Sequence, residues 1–402
     1  MRILQLANKM PFPPKDGGAM GIHIFTEGLL QAGHQVKVIA VNSPKLFTPL
    51  HEISQSYKES TQFEAVEIDT RIKPLKALLN LFSNRSYNVE RFDAPAMHQK
   101  LKEVLATKSF DIIQLESVFM APYIATIKKY SLAKIVLRAH NIEHKIWERL
   151  AANEKNILKK WYLGLLAKRL KQYEINMLNQ YHGITYITAT EGMQITNLGC
   201  RIPTCHIPFA MQVKNKIPIL GKEENGSVFS LAAMDWQPNV EGIQWFLDNV
   251  WALVLQKIPT AKFYIAGRNM NAHWLQKKYP QVEMVGEVKD ANAFITEKSV
   301  MVVPLFSGGG VRVKIIEGFA MQKAIVATAI GAEGIEYKNN VHLLEANNST
   351  AFAEQVITLL QNENQRNTIA QNGRKLAEQL YDIGSVITKL THFYQTLLEE
   401  KK

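Results

Sequence analysis

The sequence predicts an α/β protein made of two doubly wound, Rossmann-like domains. Short apolar segments typical of buried strands alternate with helical patterns, and this alternation restarts after a stretch rich in proline and glycine. The chain has 402 residues, which is longer than a domain with a single hydrophobic core usually is, so two domains are expected. Its 47% hydrophobic and 21% charged residues are typical of a globular protein.

The first half begins with an apolar strand at residues 3–7, a loop rich in proline and glycine, and a helix at about residues 20–32. Gly33 ends that helix. Further strands are expected at residues 35–41, 111–115, 134–139 and 183–188. Each precedes a helical pattern, which indicates a parallel sheet covered on both faces.

Residues 203–226 are expected to connect the domains, because Pro203, Pro208 and Pro218 interrupt any regular pattern there. The strands expected beyond this connection are residues 228–232, 262–266, 282–285, 299–303 and 324–328. The expected helices are residues 240–257, 311–321, 349–361, 365–379 and 384–398. Ligands of doubly wound domains bind at the carboxyl ends of the strands, so a cleft between two domains facing each other is the expected site.

The net charge indicates which kinds of partner to expect, and the cysteine content limits which kinds of site the chain can form. A net charge of +11 favours an anionic partner, such as nucleic acid, an acidic membrane surface or a phosphorylated substrate. Two cysteines, Cys200 and Cys205, are too few for a disulfide scaffold or a zinc site. No apolar run is long enough to span a bilayer, and the first strand does not resemble a signal peptide. A cytoplasmic protein is expected, free or peripheral at the inner face of the membrane.

Residues 155–171 combine cations with apolar residues at helical spacing. Such a helix could lie on an anionic bilayer. The interpretation we favour is an amphipathic helix that buries its apolar face in the domain and leaves its lysines in solvent.

The most informative segment follows the strand expected at residues 299–303. A glycine-rich turn between a strand and a helix lets backbone N–H groups approach an anion, and the helix N-terminus adds partial positive charge. A carboxylate one turn later can accept hydrogen bonds from two hydroxyl groups. This order of groups matches a diphosphate beside a ribose, although the glycines could also serve only tight packing. The residues concerned are Gly308, Gly309, Gly310, Val311, Arg312, Lys314 and Glu317.

In the first domain, two strands are followed by loops that contain glycine or polar residues. Gly17 and Gly18 would let the backbone meet a phosphate or a sugar at the next helix N-terminus, although a plain glycine loop is the alternative. His140 follows another strand, beside Asn141 and Glu143, where it could hydrogen-bond a sugar or serve a structural role.

Three loops of the second domain are weaker candidates. Asp235 follows the first strand there and could line the cleft, while Asn239 is expected to cap the helix starting at residue 240. Arg268 ends the next strand and is a further phosphate candidate. Gly286 follows another strand, at a position suited to reading a nucleobase with backbone groups.

Several familiar motifs are missing from the sequence. No two aspartates lie two positions apart, so no such pair can hold magnesium on a diphosphate, and we expect no metal or other cofactor. No P-loop and no Gly-x-Ser-x-Gly elbow occur. Charge on a leaving diphosphate would instead be neutralised by Arg312, Lys314 and backbone N–H groups.

Together these residues resemble the family 4 retaining glycosyltransferases (glycosyl transferase group 1) of the GT-B fold. The resemblance covers nearly the whole chain and is most specific from residue 304 to residue 332. The segments that carry it are 16–18, 139–141, 234–239, 304–320 and 331–334. It implies that residues 1–208 bind an acceptor, that residues 209–383 bind a nucleotide-sugar of the UDP or GDP type, and that the helix at 384–402 packs back onto the first domain.

The resemblance also implies roles for individual residues. Glu317 matches the second acid of the family's E-x7-E motif, which is expected on the donor ribose, whereas the first acid falls at Gly309. Arg312 and Lys314 would take the phosphate role, and His140 matches a histidine that contacts the transferred sugar. The implied reaction is transfer with retention to a hydroxyl of a glycan or lipid-linked acceptor.

Two other functions remain open. A GT-B-like nucleotide-sugar epimerase would change the donor sugar without an acceptor. A non-catalytic protein would bind a nucleotide-sugar or glycan without transferring it. Nucleic acid is not an expected partner, because no recognition motif or aromatic-interleaved basic stripe accompanies the charge.

Overall fold

The chain folds into two compact units. A computed structural model describes residues 1–218, 221 and 223–399. Unit 1 comprises Met1–Ala210 with Val386–Lys402, and unit 2 comprises Met211–Ser385. Sequence analysis places the corresponding boundaries after residues 208 and 383. The last helix starts in unit 2 and contributes most of its length to unit 1.

Unit 1 is built on a seven-stranded sheet in which every strand pairing is parallel. Its strands are β1 (Arg2–Ala7), β2 (Gln35–Asn42), β3 (Glu64–Glu67), β4 (Ile112–Glu116), β5 (Lys134–Ala139), β6 (Gly183–Tyr186) and β7 (Thr204–His206). Their order across the sheet is β3-β2-β1-β4-β5-β6-β7.

The helices between these strands are α1 (Gly17–Gln31), α2 (Gln55–Thr61), α3 (Pro74–Asn80), α4 (Tyr87–Glu90), α5 (Pro95–Thr107), α6 (Ile124–Tyr130), α7 (Glu143–Asn153), α8 (Ile157–Met177) and α9 (Ala189–Asn197). Short 3-10 turns lie at Pro44–Leu46, Leu50–Glu52, Val118–Tyr123 and Leu178–Gln180. Among the helices of the described residues, none is long and apolar enough to cross a membrane.

Unit 2 has a six-stranded parallel sheet in the order β10-β9-β8-β11-β12-β13. Its strands are β8 (Glu224–Leu231), β9 (Lys262–Ala266), β10 (Val282–Gly286), β11 (Lys298–Val303), β12 (Ala324–Ala327) and β13 (Leu344–Glu345). Its helices are α10 (Gln237–Asn249), α11 (Trp251–Lys257), α12 (Ala272–Leu275), α13 (Ala291–Thr296), α14 (Val313–Ala320), α15 (Ser349–Gln361), α16 (Glu363–Leu380) and α17 (Ile383–Glu399), the last shared with unit 1.

The predicted fold class is confirmed, since both units are doubly wound parallel α/β structures. The central strands are buried on both faces, as their apolar runs indicate. The strand β4 is buried along its whole length although it contains Gln114 and Glu116. Polar groups in such a position require partners, and these partners belong to the site described below.

Two local predictions in unit 2 are wrong. The helix expected at residues 240–257 is two helices that meet at Val250, and α10 starts at Gln237 with Trp236 as its N-cap residue. Asn239 is therefore inside the first turn and is not the N-cap. Because Pro238 occupies the first turn, where no intrahelical N–H is needed, the helix starts earlier than the predicted cap.

Three strands were not predicted. The strand β3 has the sequence Glu-Ala-Val-Glu at one edge of the sheet, and β7 lies within the stretch interpreted as a connection. The two-residue strand β13 ends the sheet of unit 2. All three are short edge strands, for which the apolar pattern is weak.

The cationic segment at residues 155–171 lies mostly on α8. Leu166 and Leu170 are buried, as expected for an amphipathic helix. By contrast, Ile157, Leu158 and Trp161 in the first two turns are exposed.

In each sheet, the strand order reverses at one point. The strand β1 lies between β2 and β4, and the chain leaves it on one side and returns on the other. The strand β8 lies in the same way between β9 and β11. The carboxyl ends of these strand pairs open a crevice in which doubly wound proteins bind ligands.

Candidate functional site

The glycine-rich segment lies at the reversal point of unit 2, immediately after β11. Gly308 and Gly310 have φ values of +101° and +87°, a backbone region that favours glycine. A Cβ atom on Gly308 would lie 2.6 Å from the ring of Trp236, which belongs to the loop after β8. Residue 308 therefore has two independent reasons to be glycine, and the two loops of the crevice are in contact.

Arg312 holds this segment in place. Its Nη1 donates to the backbone oxygens of Gly309 and Gly310 at 2.9 and 3.2 Å, and its Nε donates to that of Ile330 at 3.2 Å. The Nη2 group lies 3.5 Å from a carboxylate oxygen of Glu333. Because the side chain is buried and most of its N–H groups are occupied, Arg312 positions the loop in this structure and does not present an open cation.

Lys314 lies in the first turn of α14 and points its ammonium group at the first turn of α10. Its Nζ donates to Asn239 Oδ1 at 2.7 Å, and the Asn239 amide group donates in turn to the Ala233 oxygen at 2.7 Å. Burial lowers the pKa of Lys314 to about 8, and the nearby charge of Arg312 acts in the same direction. A buried cation whose hydrogen-bonding partner is a neutral amide is well suited to receive an anion.

Glu317 follows Lys314 on the same helix. Burial raises the pKa of its carboxyl group, while Lys216 and Lys314 lower it in part. Among the residues that the structure describes, none hydrogen-bonds to this carboxylate. The group is therefore available to accept hydrogen bonds from a ligand.

The weaker donor-site candidates lie on the loops after the neighbouring strands. Asp235 is exposed and accepts a hydrogen bond from Asn269 Nδ2 at 2.9 Å. Arg268 is also exposed, and its backbone oxygen accepts from Met234 N at 2.9 Å. The Gly286 oxygen accepts from Gly267 N at 2.7 Å. The loops after β8, β9 and β10 thus form one hydrogen-bonded edge.

In unit 1, His140 belongs to a buried charged cluster at the ends of β4 and β5. Its Nε2 lies 2.7 Å from Glu116 Oε2, and Arg138 Nη1 lies 2.9 Å from the same oxygen. Burial would raise the pKa of Glu116, but Arg138 and His140 lower it to about 2, so the group is ionised. Burial and Arg138 lower the pKa of His140.

These charges fix the proton on the neutral His140 ring. An ionised carboxylate at 2.7 Å requires Nε2 to carry the proton, which leaves Nδ1 as a hydrogen-bond acceptor. The cluster continues into the C-terminal helix, because Gln114 bonds to Glu116 and the Tyr394 hydroxyl donates to Gln114 Oε1.

Gly17 and Gly18 form the first turn of α1, but the helix N-terminus is already occupied. Asp16 is the N-cap residue and accepts from Ala19 N at 2.8 Å. Lys9 Nζ lies 3.0 Å from Asp16, and a Cβ atom on Gly18 would lie 3.0 Å from the same nitrogen. Since the chain's own carboxylate takes the anion position, this loop suits a hydroxyl ligand better than a phosphate.

Glu143 lies in the first turn of α7, next to the His140 loop. Burial and the nearby carboxylate of Glu174 raise the pKa of Glu143 to about 7. Glu174 is held by the backbone N–H groups of Glu143 and His144 at 2.9 and 3.0 Å. Lys9 acts electrostatically on both His140 and Glu143, so the loops after β1 and β5 are neighbours.

Sequence analysis named these loops as candidates but did not single out several residues within them. Lys9 and Glu116 stand at or just after the ends of β1 and β4, and the signal that could have found them is a charge at a strand end. Asn239 was interpreted as a cap and is instead the partner of Lys314. In the described part of the chain, no group of three or more His, Cys, Asp or Glu residues could hold a metal ion.

Comparisons with known proteins connect the fold to glycosyltransferases. Residues 226–362 match the family model described as "Glycosyl transferases group 1". An "Uncharacterized 44.6 kDa protein in cps region" of Klebsiella pneumoniae is 24% identical over 97% of this chain and 98% of its own. The "Capsular polysaccharide biosynthesis glycosyltransferase CapM" of Staphylococcus aureus is 28% identical over 31% of this chain and 33% of its own.

Solved structures match the whole chain. The sucrose-phosphate synthase of Thermosynechococcus elongatus has a TM-score of 0.65 at 14% identity and covers 100% of both chains. The Anabaena protein Alr3699/HepE, solved in complex with UDP, has a TM-score of 0.64 at 12% identity and covers 98% of this chain and 100% of its own. The chain therefore has the two-domain α/β fold of the GT-B glycosyltransferases, as the sequence predicted.

Proposed function

We propose that this protein is a family 4, retaining glycosyltransferase of the hexosyltransferase type. It moves a sugar from a nucleoside-diphosphate sugar to a hydroxyl of a glycan or lipid-linked acceptor. The observation that carries the proposal is the arrangement of Lys314, Glu317 and the glycine-rich turn at the reversal point of the unit 2 sheet. The match of residues 226–362 to a glycosyltransferase family model supports it.

Unit 2 holds the donor in this proposal. The diphosphate lies against the N-terminus of α14, where Lys314 and the backbone N–H groups of residues 308–311 neutralise its charge. Arg312 acts by holding the carbonyl groups of that turn away from the anion. Glu317 accepts hydrogen bonds from the ribose hydroxyls, and the edge near Gly286 receives a base of the UDP or GDP type.

Unit 1 holds the acceptor and His140. The acceptor oxygen bonds to the anomeric carbon on the face from which the diphosphate leaves, the bond to the diphosphate breaks, and a phosphate oxygen takes the acceptor proton. Electrostatic stabilisation of the leaving diphosphate is the main requirement of such a step. His140 accepts a hydrogen bond from a sugar hydroxyl at Nδ1, a role that its Glu116 contact prepares. No metal is needed in this proposal, because Lys314 and the helix N-terminus supply the positive charge.

Calorimetric titration with UDP, GDP, ADP and TDP, each with and without magnesium, tests the donor site. One nucleotide should bind with micromolar affinity, and magnesium should leave that affinity unchanged within about twofold. If none of the four binds, the glycine-rich turn is a packing feature and the proposal fails. Affinity that requires magnesium would overturn metal independence.

A ribose test separates Glu317 from the phosphate contacts. The wild-type protein should bind the ribonucleotide more tightly than its 2′-deoxy form, and Glu317→Ala should bring the two affinities together. Once the donor is known, NMR of the product tests retention, since the new bond must keep the donor's anomeric configuration. A sugar altered in the absence of acceptor would instead indicate an epimerase.

A further inference from the structure

Unit 1 exposes eight large apolar side chains in two segments of the chain. Those on and around α3 and at the start of α8 form what we call the apolar–basic face, and its apolar members are Ile72, Leu75, Leu78, Leu79, Phe82, Ile157, Leu158 and Trp161. Each of them is exposed, and Phe82 and Ile157 reach 89% and 82%. Contiguous apolar patches on a protein surface mark sites of interaction.

Hydrogen bonds connect α3 to α8 at one end and to α4 at the other. Arg169 on α8 donates from Nη1 to the Asn80 oxygen at 2.8 Å and from Nη2 to the Leu81 oxygen at 2.9 Å, at the end of α3. At the start of α3, the Tyr87 hydroxyl accepts from Lys73 N at 2.9 Å, and Tyr87 acts electrostatically on Tyr162. The end of α3 is therefore tied to α8, and its start contacts Tyr87 on α4, the helix that packs against α8.

The two segments that form this face contain cations and no acids. Residues 71–89 contain four cations and no acid, and residues 155–173 contain six cations and no acid. The acids that border the two segments already have partners: Asp69 has Arg71 and Lys73, Glu90 has Arg85, Glu154 has Lys159, and Glu174 has His144. The lysines Lys76, Lys155 and Lys160 are exposed beside the apolar side chains.

We infer that the apolar–basic face docks on an anionic lipid bilayer. Leucine, phenylalanine and tryptophan side chains enter the boundary between headgroups and acyl chains, and lysines beside them attract anionic lipids. A second copy of the chain is a poorer occupant, because two such faces would bring like charges together. This inference does not depend on the proposed transfer reaction.

Flotation with vesicles tests the docking directly. The full-length protein should float with vesicles containing about 30% phosphatidylglycerol and stay behind with pure phosphatidylcholine, and 0.5 M salt should weaken binding strongly. Trp161 gives a second reading, since its fluorescence should shift to the blue on the anionic vesicles. No flotation with anionic vesicles at low salt would overturn the inference.

Matched variants distinguish binding through this face from binding that any exposed apolar side chain or the net charge would cause. Phe82→Ser with Trp161→Ser should lower the vesicle partition coefficient at least tenfold, whereas Leu132→Ser should not change it, although Leu132 is 90% exposed. Changing Lys76, Lys155 and Lys160 to Glu should lower the vesicle partition coefficient by more than tenfold. The same reversal at the exposed Lys102, Lys257 and Lys278, which changes the net charge equally, should have an effect several times smaller.

Two further outcomes would contradict the docking of this face on an anionic bilayer. Equal loss in both sets of charge reversals would overturn the assignment to this face, because net charge alone would then explain binding. Sedimentation of the wild-type protein as a dimer that Phe82→Ser dissociates, with no binding to anionic vesicles, would assign the face to a second copy.

Discussion

Lys314 combines two properties that oppose each other. Its ammonium group is buried against the amide oxygen of Asn239, and burial lowers its pKa to about 8 from an ordinary value near 10.4. The charged form is therefore disfavoured in the folded protein, and an anion beside it would remove that cost. A residue retained at the expense of stability is typical of a binding site.

Lys314→Met should raise the stability of the free protein and weaken nucleotide binding. We expect an increase of about 1–3 kcal/mol in the free energy of unfolding at pH 7, because the variant no longer buries a charge. Affinity for the nucleoside diphosphate should fall by about 1.5–3 kcal/mol, the usual value of a charge-assisted contact. Denaturant unfolding and calorimetry measure the two effects.

The exposed Lys278 provides the control for this substitution. Lys278→Met should leave both quantities within about 0.5 kcal/mol of the wild type. A Lys314→Met variant that is less stable, or that binds nucleotide normally, would contradict the role given to this ammonium group.

The pH dependence of binding follows from the same pKa. A bound diphosphate favours the charged form, so the pKa of Lys314 is higher in the complex than the value of about 8 in the free protein. Affinity should therefore be nearly constant below pH 7.5 and fall as the pH rises through 8, reaching about a tenfold loss at pH 9.

Calorimetry between pH 6.5 and 9.5 with a nucleotide-sugar checks this prediction, since its diphosphate has no ionisation in that range. Titrations in buffers of different ionisation enthalpy should reveal proton uptake on binding near pH 8. Lys314→Met should lose this dependence. A flat profile for the wild-type protein would exclude Lys314 as a phosphate ligand.

At the scale of the element, the turn between β11 and α14 depends on both backbone conformation and contacts. Arg312 occupies the carbonyl oxygens of Gly309 and Gly310, and Gly308 packs against Trp236. The arrangement leaves the N–H groups of the turn at the N-terminus of α14, where the anion is proposed to bind. Arg312 thus contributes through the shape of the turn.

Gly308→Ala and Gly310→Ala form a matched pair that tests this shape. Both positions have positive φ, so each substitution should cost about 1 kcal/mol of conformational strain. Only at Gly308 would the new methyl group meet another residue, at 2.6 Å from the Trp236 ring, whereas at Gly310 it meets nothing within 4 Å.

Gly308→Ala should consequently weaken nucleotide binding several times more than Gly310→Ala, as measured by calorimetry. Adding Trp236→Ala should restore part of the loss, because it removes the steric conflict. Equal effects at the two positions would mean that the contact between the loops after β8 and β11 does not shape the site.

At the scale of the whole molecule, the C-terminal helix brings the end of the chain into contact with unit 1, which the first half of the chain forms. Beyond Val386 it belongs to unit 1, where Phe393 and Leu397 pack against Gly183 on β6 and Tyr394 bonds to Gln114 on β4. A Cβ atom on Gly183 would lie 2.7 Å from Leu397, so this approach requires glycine. The helix therefore supports the buried strand that carries Glu116.

Replacing Phe393 and Leu397 together by alanine should destabilise unit 1 by about 3–6 kcal/mol, the usual cost of two large cavities in a core. Nucleotide affinity at 20 °C should remain within about twofold, because the residues proposed to bind the donor belong to unit 2. Differential scanning calorimetry and nucleotide titration measure the two properties. Leu398→Ala is the control, since that side chain is 39% exposed; a double variant as stable as this control would contradict the packing of the helix on unit 1.

The sequence alone determined the fold class and the loops that carry the candidate site. Alternating apolar runs and helical periodicity depend on local residue order, so they predict two parallel α/β units. They also place His140 just after a strand, and Lys314 and Glu317 on the helix that follows another strand. Short edge strands such as β3 and β7 were not predicted, because their pairing depends on a neighbour far away in the chain. The split of the helix at Val250 also lacked a local signal.

The tertiary structure decided what each charged side chain does. Arg312 and Lys314 have the same sign and lie two positions apart. Most N–H groups of Arg312 are occupied, chiefly by backbone carbonyl groups, whereas Lys314 contacts the side-chain amide of Asn239. Glu116 and Tyr394 are 278 positions apart and share Gln114 as a partner. Hydrogen bonds and burial arise between segments distant in the chain, and they determine whether a charge positions a loop or is free to bind a ligand.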